Sequence, residues 1–249
     1  MIGGCPHSID RSNAKTLHVN RRWSRFNETI SIETAISGGR MVGIAIWGVA
    51  ALLYAAFWFW YDAAGRRLTE AEIDAALAKL AASRTAGSGD LATLRTFLEA
   101  DDGREFLMLN LVKVNPDLSE HPETRELMSG AEMSRAYFNR FRRILLGRAC
   151  HPYYAGRKIG PYVDSWAAPP DPGWSMVGLI RYRSRRDLLS VVTHPDFTKA
   201  HALKHLGVTQ TFSFPTQPIV MLGMSPRHYV GLVLAFAAAL AHLAVLMIR

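Results

Sequence analysis

Two long stretches without a charged residue constrain this chain more than any other feature of its sequence. Residues 41–61 and 229–248 contain no Asp, Glu, Lys or Arg, and they lie near opposite ends of the 249-residue chain. A helix rises about 1.5 Å per residue, so about 20 apolar residues cover the hydrocarbon core of a bilayer. Aromatic residues crowd the first stretch, as is typical of segments that meet lipid headgroups. The sequence therefore predicts two transmembrane helices.

The second stretch contains one ionisable side chain, His242. An ionisable group inside a span is a candidate functional site. A single His without an acidic or second His neighbour in the span favours the plainer interpretation, a side chain tolerated near one face of the helix.

The segment before the first stretch, residues 1–40, is polar and has no sustained apolar period. Such a composition is typical of disorder. Met41 directly precedes the apolar stretch, so the sequence fits translation from Met1 and equally from Met41, with residues 1–40 then mis-annotated.

Two spans place both termini on one side of the membrane and the residues between them on the other. Positive residues close to spans favour the cytoplasm. In a chain beginning at Met1, five positive residues near the spans on the terminal side against four on the other side decide little. A chain beginning at Met41 keeps only Arg249 on the terminal side, against Arg66, Arg67, Lys79 and Arg227 on the other side. With a composition typical of bacteria, we expect an integral inner-membrane protein whose domain lies in the cytoplasm.

Residues 62–104 are predicted to form a helical linker. Thr69 and Glu72 have the spacing of a capping box, in which each side chain bonds the backbone of the other residue. Asp90 is expected to cap a second short helix.

The pattern changes over residues 105–222, where strand-like and helical segments alternate. The predicted order is strand, helix, strand, strand, helix, strand, over residues 106–114, 130–148, 151–159, 174–182, 185–206 (with a break at 194–195) and 209–220. This order is that of a ferredoxin-like βαββαβ domain, an α+β fold. The whole chain is thus predicted to be one such domain between two transmembrane helices.

Three pieces of this domain resemble the dimeric α/β-barrel family. They are the strand at residues 108–113, the helix at 130–137, and the strand at 174–184 followed by residues 194–197. The sequence departs from the family pattern at Arg183, Phe197 and Lys204, where Pro, Tyr and Arg are usual. The resemblance implies a homodimer formed through the sheets and a pocket between sheet and helices. The family includes monooxygenases, haem enzymes and isomerases, so the fold alone says little about function.

Four candidate ligand-binding residues line the pocket that this resemblance implies. Asn110 is a polar residue in an apolar strand and shares a face with Met108 and Val112. It is interpreted either as a structural amide or as a hydrogen-bonding group for a ligand. Tyr137, Tyr153 and Trp174 are interpreted either as core or as ligand contacts.

His201 and His205 complete the set of candidate ligand-binding residues. They are four residues apart on a predicted helix, so they share one face. A metal site normally needs a third ligand, and the sequence predicts no metal site and shows no evident cofactor. Ligation of a metal or haem by these histidines and a general-base role are the alternatives, and partly exposed helix histidines without a ligand are the simplest interpretation.

The sequence contains no complete catalytic constellation. The net charge of +8 is not gathered into a stripe, so nucleic acid is not an expected partner and the bilayer is. Our leading hypothesis is a membrane-anchored protein that binds a small molecule or a partner protein. The alternatives are an oxidoreductase or isomerase, either cofactor-independent or haem-dependent, and an accessory structural subunit of a membrane complex.

Overall fold

The computed structural model describes residues 38–62, 65–82 and 90–248. The elements in chain order are α1 (Gly38–Asp62), α2 (Glu70–Ala82), α3 (Leu91–Glu99), β1 (Phe106–Val114), β2 (Leu118–Glu120), β3 (Leu127–Ser129), α4 (Gly130–Leu146), β4 (His151–Arg157), β5 (Met176–Tyr182), α5 (Arg185–Val192), α6 (Pro195–Gly207), β6 (Val208–Thr216) and α7 (Pro226–Met247). The chain divides into two compact units, one comprising residues up to 57 and from 224 onward, the other residues 58–223.

The helix α1 contains the first apolar stretch, and α7 contains the second except for its last residue, Ile248. Their 25 and 22 residues make both long and apolar enough to cross a membrane, and few of their residues are buried inside the structure. The helix α1 begins three residues ahead of the predicted span, so residues 38–40 form its first turn. Residues 1–37 lie outside the described part of the chain.

Within the first unit, His242 of α7 accepts a hydrogen bond from α1. The indole Nε1 of Trp47 donates to His242 Nδ1 over 3.2 Å. Gly43 lies against the same imidazole ring, since a Cβ built on Gly43 would come within 2.7 Å of His242 Nε2. His242 is thus a contact between two helices, and Gly43 allows the close approach.

The second unit is built around a four-stranded antiparallel sheet. Its strand order is β4-β5-β1-β6, with α4 connecting β1 to β4 and with α5 and α6 connecting β5 to β6. Each half of the domain is therefore a βαβ unit, and the strands of the two units alternate in one sheet. This arrangement is the ferredoxin-like topology. The predicted α+β class and antiparallel sheet are confirmed. The predicted break in the last helix is also present, because Pro195 begins α6 and His194 caps it.

The strand register decides which residues share a face of the sheet. Phe106 lies opposite Tyr182, and both belong to the core formed with α4 and α5. The alternate residues point to the other side, as the twofold period of a strand requires. This second side, here called the open face, presents apolar residues that are exposed or half-buried: Leu109, Leu111, Tyr154, Val177, Leu179, Phe212 and Phe214.

The helices α2 and α3 pack on the same unit. Ile73, Leu77 and Leu98 form a buried cluster with Leu189 of α5. The capping box at the start of α2 is confirmed, since the amide of Thr69 donates to Glu72 Oε2 over 2.8 Å and the amide of Glu72 donates to the Thr69 hydroxyl. The segment expected to act as a linker therefore adds a helical layer to the domain.

The edge strands and one loop have irregularities that the spacing of apolar residues in the sequence does not reveal. The edge strands β4 and β6 each contain a proline, Pro152 and Pro215, and the register of β4 shifts at Tyr153. The loop predicted between β1 and α4 contains a two-stranded hairpin, β2 with β3. Strands of three residues are too short to give a periodic signal.

Candidate functional site

Aromatic rings gather around His201 between α4 and α6. The His201 side chain is buried, with 7% of the residue exposed. Its ring stacks on Phe197 at 5.4 Å between centroids, meets His205 edge-on at 4.7 Å and lies 6.5 Å from Tyr137. Tyr137 in turn stacks on Phe141. Helical spacing explains the contacts within α6, because residues four apart lie on one face.

The electrostatics of this cluster favour uncharged groups. Burial lowers the pKa of His201 to about 4, with smaller effects from Lys204 and His205, so the imidazole is neutral near pH 7. Burial also raises the pKa of the Tyr137 hydroxyl and lowers that of Lys204. His201 Nδ1 is buried and finds no hydrogen-bond partner among residues 38–62, 65–82 and 90–248. A buried polar atom of this kind is rare, and a bound group or water usually explains it.

Asn110 lies on the side of β1 that faces the helices, as predicted from the alternation of the strand. Its amide nitrogen donates to the Met108 carbonyl over 2.9 Å, and its Oδ1 accepts from the Ser213 hydroxyl over 2.8 Å. These bonds fit the structural interpretation of this amide. Gly178 lies opposite Asn110 on β5, and a Cβ built there would meet only the Tyr154 carbonyl, at 3.9 Å. Space therefore remains beside Asn110 on the helix side.

Tyr153 and Trp174 lie elsewhere. The indole of Trp174 donates to the Tyr162 hydroxyl over 3.0 Å in the connection between β4 and β5. Tyr153 sits at the bulge of β4, and its hydroxyl approaches the backbone of Gly223. Within the described part of the chain, ring contacts link the candidate residues Tyr137, His201 and His205, and neither Tyr153 nor Trp174 shares one with them.

A metal site would need more ligands than the two histidines. Over the ranges that the structure describes, no three His, Cys, Asp or Glu side chains lie close enough to hold one ion. The donor set at His201 and His205 is two imidazoles, and the other ring neighbours are Tyr137 and Phe197. The His201 imidazole can accept or donate a hydrogen bond to a ligand, and the side chains around it are aromatic rings.

A second set of polar contacts, centred on Arg181, was not predicted from the sequence. The Arg181 side chain on β5 is 5% exposed and pairs with Glu105 and Asp62 at 2.6 and 3.3 Å. It also donates to the backbone carbonyls of Ala149 and Tyr61, and its guanidinium lies 4.0 Å from the centre of the Tyr61 ring. A cation at the end of a helix stabilises the negative end of the helix dipole. Arg181 therefore stabilises the packing of the last turn of α1 against the sheet.

The neighbouring Arg183 strengthens the same junction. It donates to the Trp60 carbonyl over 2.6 Å and makes two bonds of 2.9 Å to the carboxylate of Asp187. The sequence signal for Arg181 and Arg183 is weak. They belong to a run of four arginines at the end of an apolar strand, which singles out neither of them. Their partners Glu105, Tyr61 and Trp60 are distant in sequence.

Comparison with known proteins yields structural likeness alone. No family profile and no curated protein matches the chain. A protein of unknown function from Rhodopseudomonas palustris is 19% identical, with 54% of this chain and 97% of that chain covered and a TM-score of 0.47. A Bacteroides thetaiotaomicron protein, provisionally described as an antibiotic biosynthesis monooxygenase, is 15% identical, with coverage of 49% and 97% and a TM-score of 0.33.

A third similar structure is a dimeric protein of unknown function and ferredoxin-like fold from Bacteroides fragilis. It is 12% identical, with 45% of this chain and 95% of that chain covered and a TM-score of 0.28. Sequence identities and TM-scores this low do not support any inference about function. The fold assignment made above rests on the strand order and register of this chain.

Proposed function

We propose that this chain is a membrane-anchored ferredoxin-like domain that forms a homodimer through its open face and binds a small, mostly apolar molecule beside His201. The observation that carries the binding proposal is His201 itself. A neutral imidazole with an unpartnered buried nitrogen, set among aromatic rings, matches the usual composition of ligand pockets, which are apolar with few polar groups.

Membrane anchoring is supported by α1 and α7. Both helices have the length and the apolar composition of a span, and their side chains face outward. Trp47 and Trp58 are exposed aromatic residues of α1, as expected for a helix that meets a bilayer. Resistance of the protein to extraction from its own membranes with alkaline carbonate tests this part of the proposal, and release into the soluble fraction would refute it.

Dimerisation is supported by the open face. Phe212 and Phe214 are 54% and 40% exposed and lie beside half-buried leucines of β1. A contiguous apolar surface of this kind marks an interaction site. Phe214→Glu should convert a dimer into a monomer, as measured by light scattering in mild detergent. Leu118→Glu, at another exposed apolar residue, should leave the dimer intact. A wild-type protein that is already monomeric would contradict this part of the proposal.

The ligand proposal is tested by native mass spectrometry of the full chain extracted gently from its own membrane. We expect each protomer to carry an added mass that disappears in His201→Phe, which keeps an aromatic ring at this position but removes both ring nitrogens. Lys199→Gln, at an exposed position of the same helix, should retain the mass. Retention of the mass by His201→Phe would contradict the assignment of the site. An added mass equal to haem, with its absorption band, would move the conclusion to the haem alternative.

A further inference from the structure

A cleft of about 450 Å³ opens in the second unit near the end of α1. Its walls include Asp62, the last residue of α1, and Arg104 in the turn that precedes β1. The loop that follows β6 supplies Ile219 and Met221. Pro226, the first residue of α7, comes five residues after Met221 along the chain, so the loop that lines the cleft leads directly into the second apolar helix.

One wall of the cleft offers a positive charge to a ligand. Arg181 and Arg183 also line it, but their guanidinium groups already pair with Glu105, Asp62 and Asp187. The Arg104 side chain is exposed and makes no ion pair or hydrogen bond with the residues that the structure describes. A guanidinium presents a planar fork of donors that fits phosphate oxygens.

The loop that follows β6 contributes apolar side chains to the cleft, Ile219 and Met221, which are 98% and 39% exposed. Their neighbours Val220 and Leu222 lie outside the lining and are 78% and 96% exposed. Consecutive apolar side chains in a loop are unfavourable in water, because their burial would release about 25 cal/mol for each Å² removed from water. A loop that directly precedes an apolar helix can place such side chains in the interfacial layer of a bilayer.

We propose that this cleft binds the headgroup of an anionic phospholipid. The lipid phosphate pairs with Arg104, and the upper acyl chain lies along Ile219 and Met221. The volume is within the usual range for small-molecule sites, and anionic lipids are attracted by basic residues next to spans. The inference rests on the proposed membrane anchoring and concerns a site separate from the cluster at His201.

The test is lipid binding to the full chain in mild detergent, measured by native mass spectrometry during titration with phosphatidylglycerol or phosphatidylcholine. We expect one phosphatidylglycerol to be retained more tightly than phosphatidylcholine. Arg104→Gln should weaken phosphatidylglycerol binding about tenfold, which corresponds to the loss of one charge-assisted contact. Arg142→Gln removes another exposed arginine, on α4, and should leave the affinity unchanged.

Two further arms identify the source of the phosphate and the role of the loop. Ile219→Ser should weaken the diacyl lipid several-fold, and free glycerol phosphate should bind far more weakly than the lipid. Equal binding of glycerol phosphate would overturn the choice of a lipid in favour of a soluble phosphate ester. An unchanged affinity of Arg104→Gln in a carbonate-resistant protein would refute the cleft and leave the anchoring intact. Extraction by carbonate would refute both.

Discussion

Replacing Arg181 by Met should weaken the junction between the last turn of α1 and the sheet. Met replaces the aliphatic part of the Arg side chain, but it carries no charge and donates no hydrogen bond. The substitution leaves two carboxylates, Asp62 and Glu105, without the cation that pairs with both of them. It also removes the donor to the carbonyl of Ala149, which lies 2.8 Å from the guanidinium.

The size of the effect follows from the burial of these groups. Breaking a buried ion pair by removing one partner costs about 3–5 kcal/mol. The Asp62 and Glu105 side chains are 15% and 31% exposed, so water can partly solvate them after the substitution. We therefore expect a loss near the lower end, about 3 kcal/mol, which for a unit of this size corresponds to a Tm lower by about 6–12 °C.

Thermal unfolding of the full chain in mild detergent, followed by near-ultraviolet circular dichroism, measures this loss through the aromatic packing of the domain. Arg142→Met is the matched control, because it removes an exposed arginine of α4 and should change the stability by less than about 0.5 kcal/mol. A Tm for Arg181→Met within about 2 °C of the wild type would show that the Arg181 contacts contribute little net stability.

Three further outcomes follow from the environments of single residues. Because burial lowers the His201 pKa to about 4, the unfolded state binds more protons below pH 6.5. Unfolding by urea should therefore show a loss of about 1–2 kcal/mol between about pH 7 and pH 5, and His201→Phe should abolish this loss. Burial raises the pKa of the Cys150 thiol to about 11, so iodoacetamide at about pH 8 should modify Cys150 in a Cys5→Ser variant only after denaturation, as read by mass spectrometry. Ser129 and Glu132 form the capping box of α4, and Ser129→Ala should lower the free energy of unfolding by about 1 kcal/mol in urea. A flat pH profile, rapid labelling or unchanged stability would contradict the respective prediction.

Much of the fold could be predicted because local patterns determine it. The apolar run that forms β1 and the alternation that puts Asn110 on the side of Met108 depend on the strand period alone. The proline at position 195 breaks the last helix because its ring clashes with the preceding turn and its nitrogen carries no hydrogen. This effect can be predicted from the sequence alone. The β2–β3 hairpin was missed because its strands are too short for a period to appear.

The candidate site could be predicted only in part. The spacing of His201 and His205 on one helix face is local, and their ring contact follows from it. The approach of Tyr137 depends on how α4 packs against α6, and no local pattern encodes that. Arg181 was overlooked for the same reason, since Glu105 and Tyr61 lie 76 and 120 residues away along the chain. A charge on an otherwise apolar strand is the one signal that would have singled it out.

The prolines in the two edge strands restrict how copies of this domain can join. An edge strand exposes unpaired amide and carbonyl groups, which can pair with a strand of another chain. Pro152 in β4 and Pro215 in β6 each lack the amide hydrogen that such pairing needs, and the bulge in β4 further disrupts the ladder. Copies of this domain at high local concentration are thereby protected against polymerising strand by strand, and association is directed to the faces of the sheet.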